Sequence, residues 1–281
     1  MKMKIKTLVT VAVTATMIAA SSVPAFAAQC TNDTWNKIMS RGKIVIGVKP
    51  DYKPWGYLGA DGKLIGMEVD MAQDIADTMG VDLELIATKG ANRIPFLETG
   101  KIDMILATMS DRADRRKVSG IPLPNYYTSG TNMMAPKALK LKSWADLRGK
   151  PVCGKQGAFY NKKAAEVYGA KIVAFGGSAE GKQALRDRKC IGFLSDDSSI
   201  GVDLASGNWD DFEMPLPTED DNPWALAVPV PEKDCVFGQF MSGMQYNWLR
   251  SGRLIELEAK WEIKPSSFLQ AQKDRMKDWL E

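Results

Sequence analysis

The sequence predicts an α/β protein made of two successive α/β units. The chain has 281 residues, of which 45% are apolar and 25% charged, which is typical of a globular protein with one large or two smaller domains. Strand, helix and strand patterns alternate up to about residue 106, and the same alternation starts again near residue 132. This order is typical of parallel sheets covered by helices.

The first unit begins with a compact apolar run at residues 43–48, which predicts a buried strand. Residues 68–79 carry apolar side chains at helical spacing, and Gly80 follows as a typical helix stop. The predicted elements are a helix at 34–41, a strand at 43–48, a hairpin return at 62–66, a helix at 68–79, a strand at 81–86, a helix at 94–98 and a strand at 102–106.

The second unit shows the same patterns and ends in helices. Its predicted strands lie at 132–135, 151–154, 171–175, 190–194 and 225–228, and its predicted helices at 143–147, 160–168, 178–187, 235–251 and 253–261. The polar tail at 264–281 is predicted to form a helix that packs on the outside of the protein.

Residues 1–27 have the pattern of a secretory signal peptide. Lys2, Lys4 and Lys6 make the start basic, residues 8–20 are largely apolar, and small residues lead to Ala27 after a break at Pro24. The apolar run is shorter than the roughly 20 residues that a membrane span requires. We expect cleavage after Ala27 and export. The alternatives, a membrane anchor or a lipid on Cys30, are disfavoured by this length and by Gln29, where lipoproteins carry a small residue.

Composition excludes several kinds of active site. The chain has no histidine, which excludes Ser-His-Asp and Cys-His triads, His-ligated zinc and an imidazole general base. Removal of the three leader lysines from 37 basic residues leaves 34, against 34 acidic ones. A neutral chain lacks the basic footprint of nucleic-acid or lipid binding. We therefore expect no nucleic-acid partner, and we predict neither a metal nor a cofactor.

Export makes disulfides the expected state of the cysteines. Cys30, Cys153, Cys190 and Cys235 form an even set with no CxxC motif. Four cysteines allow three connectivities, and spacing alone does not choose among them.

Short motifs in the mature chain resemble, in order, those of the periplasmic solute-binding proteins of polar amino-acid ABC transporters. They lie at 46–57, 66–72, 93–97 with 100–103, 108–110 with 114–115, 146–150, and 251–253 with 260–261. Their shared order covers almost all of the mature chain. The form of residues 92–95, the Asp196-Asp197 pair and the extended tail are most similar to glutamate/aspartate-binding members.

The resemblance implies a two-lobed periplasmic binding protein fold of type II, with two Rossmann-like lobes joined by a two-strand hinge. Lobe 1 would comprise 28–131 and 223–281, including the return hinge strand and the tail. The hinge would lie at 132–136 and lobe 2 at 137–222. This division places two cysteines in each lobe and so implies the disulfides Cys153–Cys190 and Cys30–Cys235.

The resemblance also implies which residues bind a ligand. Arg115, five residues after Ser110, would clamp an α-carboxylate, and Thr108 would add a hydroxyl donor. Asp196 would take an α-ammonium group, with Asp197 sharing that role or capping a helix. The alternative is that the Arg115 segment is a solvated charge run.

Further contacts are expected around these groups. Tyr52 would stack on the ligand, whereas its aromatic neighbours would pack within the lobe. Lys49 replaces the acidic residue of members that bind basic amino acids, and with Arg93 it suggests a second ligand carboxylate, although a strand-end lysine also extends to solvent without a ligand. Gly157 and Ala158 would offer backbone N–H groups, but the threonine pair common after this glycine is missing.

The resulting interpretation is a monomeric periplasmic receptor that binds a polar amino acid, with an acidic one expected, by lobe closure and delivers it to the permease of an ABC importer. One alternative is an exported enzyme on the same fold, similar to cyclohexadienyl dehydratase, for which Lys49, Lys155 and Asp196 would be candidate groups. Another is a chemosensory module, which would normally be fused to a membrane segment.

Overall fold

The computed structural model describes residues 30–277, so the predicted signal segment lies outside the described residues. The strands are β1 Lys43–Val48, β2 Asp51–Tyr52, β3 Gly56–Leu58, β4 Leu64–Ile65, β5 Asp82–Ala87, β6 Met104–Ser110, β7 Tyr127–Pro136, β8 Pro151–Lys155, β9 Lys171–Phe175, β10 Phe193–Asp196, β11 Phe212–Glu213 and β12 Glu219–Ala227. The helices are α1 Asp33–Arg41, α2 Met67–Met79, α3 Arg93–Glu98, α4 Tyr160–Glu166, α5 Ser178–Arg186, α6 Asp197–Ala205, α7 Val236–Ser251, α8 Arg253–Lys260 and α9 Ser267–Met276. Short 3₁₀ turns lie at Arg115–Lys117, Lys137–Leu139, Trp144–Leu147 and Val230–Glu232.

One long mixed sheet runs through the molecule in the order β5-β1-β6-β12-β7-β10-β8-β9, and β11 pairs with β7. Strands β5, β1 and β6 are parallel at one end, and β10, β8 and β9 are parallel at the other. We call the part built around the first three strands the first lobe and the part around the last three the second lobe. Each lobe has its own buried apolar cluster, with Met71 and Ile75 in the first and Val152 and Leu194 in the second.

Strands β7 and β12 join the two lobes. They pair antiparallel, with Trp224 opposite Tyr127 and Glu219 opposite Thr131. Beyond that contact, β12 continues along β6 and β7 continues along β10. The rings of Trp55, Tyr127 and Trp224 lie 5.2–6.0 Å apart where these strands meet the first lobe, which fixes that end by apolar burial and ring packing.

Most predicted elements are present with ends that differ by a few residues. Larger differences include β7, which begins at Tyr127 and not at residue 132, and the short strands β2, β3 and β11, which were not predicted. The helix α6 was not predicted, because its Asp-Asp-Ser-Ser start is typical of a turn or cap. Strand β12 begins at Glu219, earlier than its apolar residues indicated. The tail forms the predicted helix on the outside of the first lobe, where Leu269 and Met276 of α9 pack against the core and most of its other side chains are exposed.

The two disulfides join Cys30 to Cys235 and Cys153 to Cys190, which is the pairing that the resemblance implied. The first ties the start of the described chain to the residue before α7, and the second ties β8 to the residues before β10. Within residues 30–277, no helix is long and apolar enough to cross a membrane.

The Cys153–Cys190 bridge closes a loop with a sequence separation of 37, to which the chain-entropy model assigns roughly 4 kcal/mol of stabilisation. Replacing both cysteines by alanine should therefore lower the free energy of unfolding by about that amount, as measured by urea denaturation. The Cys30→Ala/Cys235→Ala protein, compared in oxidised and reduced form, is the control for packing, because reduction there breaks only the Cys153–Cys190 bridge and keeps its two sulfur atoms. A loss below about 1 kcal/mol in both samples would contradict this assignment.

Candidate functional site

A cavity lies between the two lobes, and its space, including the part open to solvent, is about 340 Å³. Its walls come from the carboxyl ends of β1, β6, β8 and β10 and from the segments that follow β5 and β8. Ligands of open α/β sheets bind at such strand ends. The lining residues are Lys49, Gly90, Arg93, Thr108, Ser110, Arg115, Lys155, Gln156, Gly157, Ala158, Phe159, Tyr160 and Asp196.

Arg115 connects the two sides of the cavity. It lies on the 3₁₀ turn after β6 and is buried. Its Nη1 donates to the Ser110 carbonyl at 3.0 Å, and its Nη2 donates to the Gly157 carbonyl of the second lobe at 3.2 Å. Burial lowers the pKa of Arg115, but a guanidinium remains charged at neutral pH. Two carbonyls therefore orient a cation whose five N–H donors exceed these two acceptors.

Arg93 provides a second buried guanidinium on the first lobe. As the first residue of α3, it directs Nη1 to the Ala107 carbonyl at 2.6 Å and the Thr108 carbonyl at 3.3 Å. Its buried Nε has no hydrogen-bond partner among the described residues. Burial, together with the charge of Arg115, lowers the pKa of Arg93 to about 9. The side chain is thus a positioned cation with an unused donor.

The β6 strand end is held in an uncommon backbone conformation. Thr108 has a φ of 44°, a region that β-branched residues rarely adopt. Its N–H donates to Oε1 of Glu68 at 2.6 Å, and Tyr126 donates its hydroxyl to the same oxygen. Glu68 is fully buried, and burial raises its pKa. Sequence analysis did not identify Glu68 as a support of the site, because in the sequence Glu68 is simply the first residue of the amphipathic helix predicted at 68–79.

Lys49 follows β1 and is only 8% exposed. Its ammonium group has no hydrogen bond or ion pair within the described part of the chain, and it lies 5.9 Å from the centre of the Tyr52 ring. Burial lowers the pKa of Lys49 well below its usual value, and the nearby charges of Arg93 and Lys155 lower it further. A buried ammonium without a partner carries an unfavourable desolvation energy that an anion in the cavity would offset.

Lys155, Tyr52 and Asp196 form a polar cluster across the cleft. The Lys155 ammonium lies 4.2 Å from the centre of the Tyr52 ring, donates to Ser195 Oγ at 3.0 Å and is 3.8 Å from Asp196 Oδ2. Tyr52 donates its hydroxyl to the same carboxylate oxygen. Burial and the Asp196 charge raise the pKa of Tyr52 well above its usual value, so the phenol remains a donor.

The two lobes meet over the cavity through backbone. A Cβ atom on Gly90 would lie 2.7 Å from the Gln156 carbonyl oxygen, and one on Gly157 would lie 2.6 Å from Gly90. At the rim, Lys89 forms an ion pair with Glu180 at 3.1 Å, and Asp51 accepts from the Ala179 N–H at 3.4 Å. The structure therefore has a closed cleft, which requires the two glycines where the lobes touch.

Eight of the nine predicted ligand-binding residues line this one cavity, and they are Lys49, Arg93, Thr108, Ser110, Arg115, Gly157, Ala158 and Asp196. The ninth, Tyr52, is buried beside it and contacts Asp196. Asp197 does not line the cavity, because its carboxylate accepts from Ser129 Oγ and the Gly130 N–H on β7. Gly90 was not predicted, Gln156, Phe159 and Tyr160 were not named as ligand-binding residues, and Lys155 was named as a group that suits binding as well as catalysis.

Two α/β lobes that enclose a small, charged cavity define a protein that binds small molecules in an interdomain cleft. The family model for the bacterial extracellular solute-binding proteins, family 3, matches residues 44–265. The chain therefore belongs to this family. Its members have the type II periplasmic binding protein fold, which confirms the fold class that the sequence predicted.

Individual relatives agree with this assignment. The L-cystine-binding protein TcyJ of Escherichia coli strain K12 is 32% identical over 138 residues, which are 48% of this chain and 50% of that protein, so the chain spans about half the length of this curated relative. The L-glutamate/L-aspartate-binding protein of Pseudomonas aeruginosa is 24% identical over 269 residues, covering 90% of this chain and 87% of that one. A crystal structure of a solute receptor for L-cysteine from Neisseria gonorrhoeae has a TM-score of 0.76 at 24% identity, covering 82% and 96% of the two chains.

Lys49→Met should stabilise the ligand-free protein, because it removes a buried charge without a partner. We expect the free energy of unfolding at pH 7 to rise by about 0.5–2 kcal/mol. The pKa of Lys49 is lowered in the folded state, so the unfolded state binds more protons between the folded and unfolded pKa values. The free energy of unfolding of the wild type should therefore increase relative to that of the variant as pH rises through that interval.

The measurement is urea denaturation at several pH values up to 10. Lys63→Met is the matched control, since Lys63 is exposed and its pair with Asp61 is a surface one. A destabilised Lys49→Met protein would contradict the view that this ammonium lacks a partner.

Proposed function

We propose that the protein is an extracytoplasmic receptor that binds an acidic amino acid between its lobes and delivers it to the permease of an ABC importer. The observation that carries this proposal is the charge of the cavity. Lys49, Arg93 and Arg115 are buried, and none has an ion-pair partner within 4.0 Å in residues 30–277. The lining contains one carboxylate, Asp196, and that group already lies near Lys155.

This imbalance favours a ligand with two carboxylates. Arg115 and Ser110 would take one carboxylate through charged hydrogen bonds, and Lys49 with Arg93 would take the other. A lysine or leucine side chain would leave Lys49 buried without an anion, which is unfavourable. The similarity to the glutamate/aspartate-binding relative supports the same class of ligand, whereas other relatives are named for cystine, histidine, glutamine and arginine.

The proposal includes the way in which the lobes move. We infer that the two lobes, divided near residues 131–137 and 222–223 as the resemblance implied, move against each other by bending of β7 and β12 where these strands cross between them. The receptor would act as a monomer in the periplasm after cleavage behind Ala27. Membership of an extracellular solute-binding family supports this location.

The exported-enzyme alternative differs from the receptor in one observable way: an enzyme converts the bound compound, whereas a receptor releases it unchanged. The relatives named above are binding proteins. A thermal-shift screen of the amino acids, with mass spectrometry of each mixture, tests both functions. Stabilisation with unchanged ligand supports the receptor, and conversion of a compound supports an enzyme.

Arg115→Ala should weaken binding of glutamate or aspartate by roughly a hundredfold or more. The variant removes a bidentate partner of a carboxylate, and charged hydrogen bonds contribute about 1.5–3 kcal/mol each. Calorimetry with either amino acid measures the effect. Arg250→Ala is the matched control, because Arg250 is exposed on α7 and contacts Asn247. A change of less than tenfold would show that Arg115 does not bind the ligand.

Gly90→Ala should weaken binding by blocking closure without disturbing either lobe. The added Cβ would clash with the Gln156 carbonyl only when the lobes meet. We expect at least a tenfold loss of affinity and a smaller ligand-induced decrease in the radius of gyration by solution scattering. Gly243→Ala is the control, because a Cβ at Gly243 meets no atom within 4 Å. Unchanged affinity in the Gly90 variant would argue against closure over the ligand.

A further inference from the structure

The cavity contains a site for a cation that the protein itself occupies. An aromatic face and a carboxylate attract an ammonium group, and Tyr52 and Asp196 provide both. The Lys155 ammonium lies 4.2 Å from the centre of the Tyr52 ring and 3.8 Å from Asp196 Oδ2, and it donates to Ser195 Oγ at 3.0 Å. Lys155 belongs to the second lobe and Tyr52 to the first, so this contact forms with the closed cleft.

One oxygen of Asp196 is already engaged by the protein, so a ligand ammonium would have to approach this carboxylate beside Lys155. Oδ2 of Asp196 accepts the Tyr52 hydroxyl, which remains protonated, and faces Lys155. A ligand ammonium placed at the same carboxylate would lie beside the Lys155 ammonium, in a cavity that also contains Lys49, Arg93 and Arg115. Like charges at such short range in a buried site repel strongly. Burial lowers the pKa of Lys155 to about 8, so most molecules carry the charge at neutral pH.

We propose that Lys155 takes the place of the ligand's amino group, so that the receptor recognises acidic amino acids by their two carboxylates and binds the corresponding dicarboxylates without an amino group about equally well. This inference rests on the proposed receptor function and makes Lys155 a specificity-determining residue. It differs from the role that the family resemblance gives to Asp196, which is binding of the ligand's α-ammonium.

Two ligand pairs that differ only in the amino group test the inference by calorimetry. They are L-glutamate with glutarate and L-aspartate with succinate. In the wild type, we expect the two members of the tighter pair to bind within tenfold of each other. Asp196→Asn should change the affinities for both ligands of a pair by the same factor, because on this proposal the carboxylate contacts Lys155 and not the ligand.

Lys155→Met should free Asp196 for a ligand ammonium. In this variant we expect the affinity for the amino acid to rise at least tenfold relative to the affinity for the matching dicarboxylate. This difference should disappear in the Lys155→Met/Asp196→Asn double variant. Lys155→Arg, which keeps a cation, should retain the wild-type ratio. Lys162→Met is the control, since Lys162 is exposed on α4 with a 4.0 Å pair to Glu166.

The wild type and the Asp196→Asn variant decide the question even if the Lys155 variants do not fold. If the wild type binds the amino acid more than tenfold more tightly than the matching dicarboxylate, the inference is wrong. If that preference then disappears in Asp196→Asn, Asp196 binds the ligand ammonium. That result leaves the acidic amino-acid receptor intact. If neither pair binds while another amino acid does, the acidic ligand class is wrong and the inference is wrong with it.

Discussion

The excess of buried positive charge in the cleft is the constraint on which the rest of the structure depends. Burial of Lys49, Arg93 and Arg115 without ion-pair partners is unfavourable, and the pKa of each is lowered for that reason. The disulfides, the separate apolar cores and the pairing of β7 with β12 stabilise the lobes that hold these groups in place. The fold thus tolerates a locally unfavourable site that an anionic ligand would stabilise, which is how binding free energy can be coupled to closure.

The cations are oriented by backbone and by one buried acid. Carbonyls of Ala107, Thr108 and Ser110 accept from Arg93 and Arg115, so these guanidinium groups are fixed without an ion pair that would cancel their charge. Glu68 lies beneath this strand end and holds the N–H of Thr108 in its positive-φ conformation. Its carboxylate also interacts with the charges of Lys49 and Arg93, which reduces the electrostatic cost of burying these two cations.

Sequence patterns predicted the parts of the fold that depend on local chemistry. The apolar run at β1, the amphipathic face of α2 and Gly80 as its stop are visible in the chain, and the motifs at Thr108–Ser110 and Arg115 placed those residues in the cleft. Residues whose role depends on the opposite lobe were harder to find. Gly90 matters because Gln156 and Gly157 face it across the cleft, and Leu269 of the tail helix is buried because α9 packs against α7 and α8. Neither relation has a local pattern.

The Asp196-Asp197 pair shows how two identical neighbouring residues acquire different surroundings in the fold. The motif correctly placed a carboxylate at the end of β10, but the adjacent aspartate binds the hinge strand through Ser129 and Gly130. The partner of Asp196 is set by Lys155, more than 40 positions earlier in the chain at the end of β8. The charge that the cavity presents is therefore the sum of side chains from both lobes, in which Asp196 lies near Lys155, and not the property of any single residue of the motif.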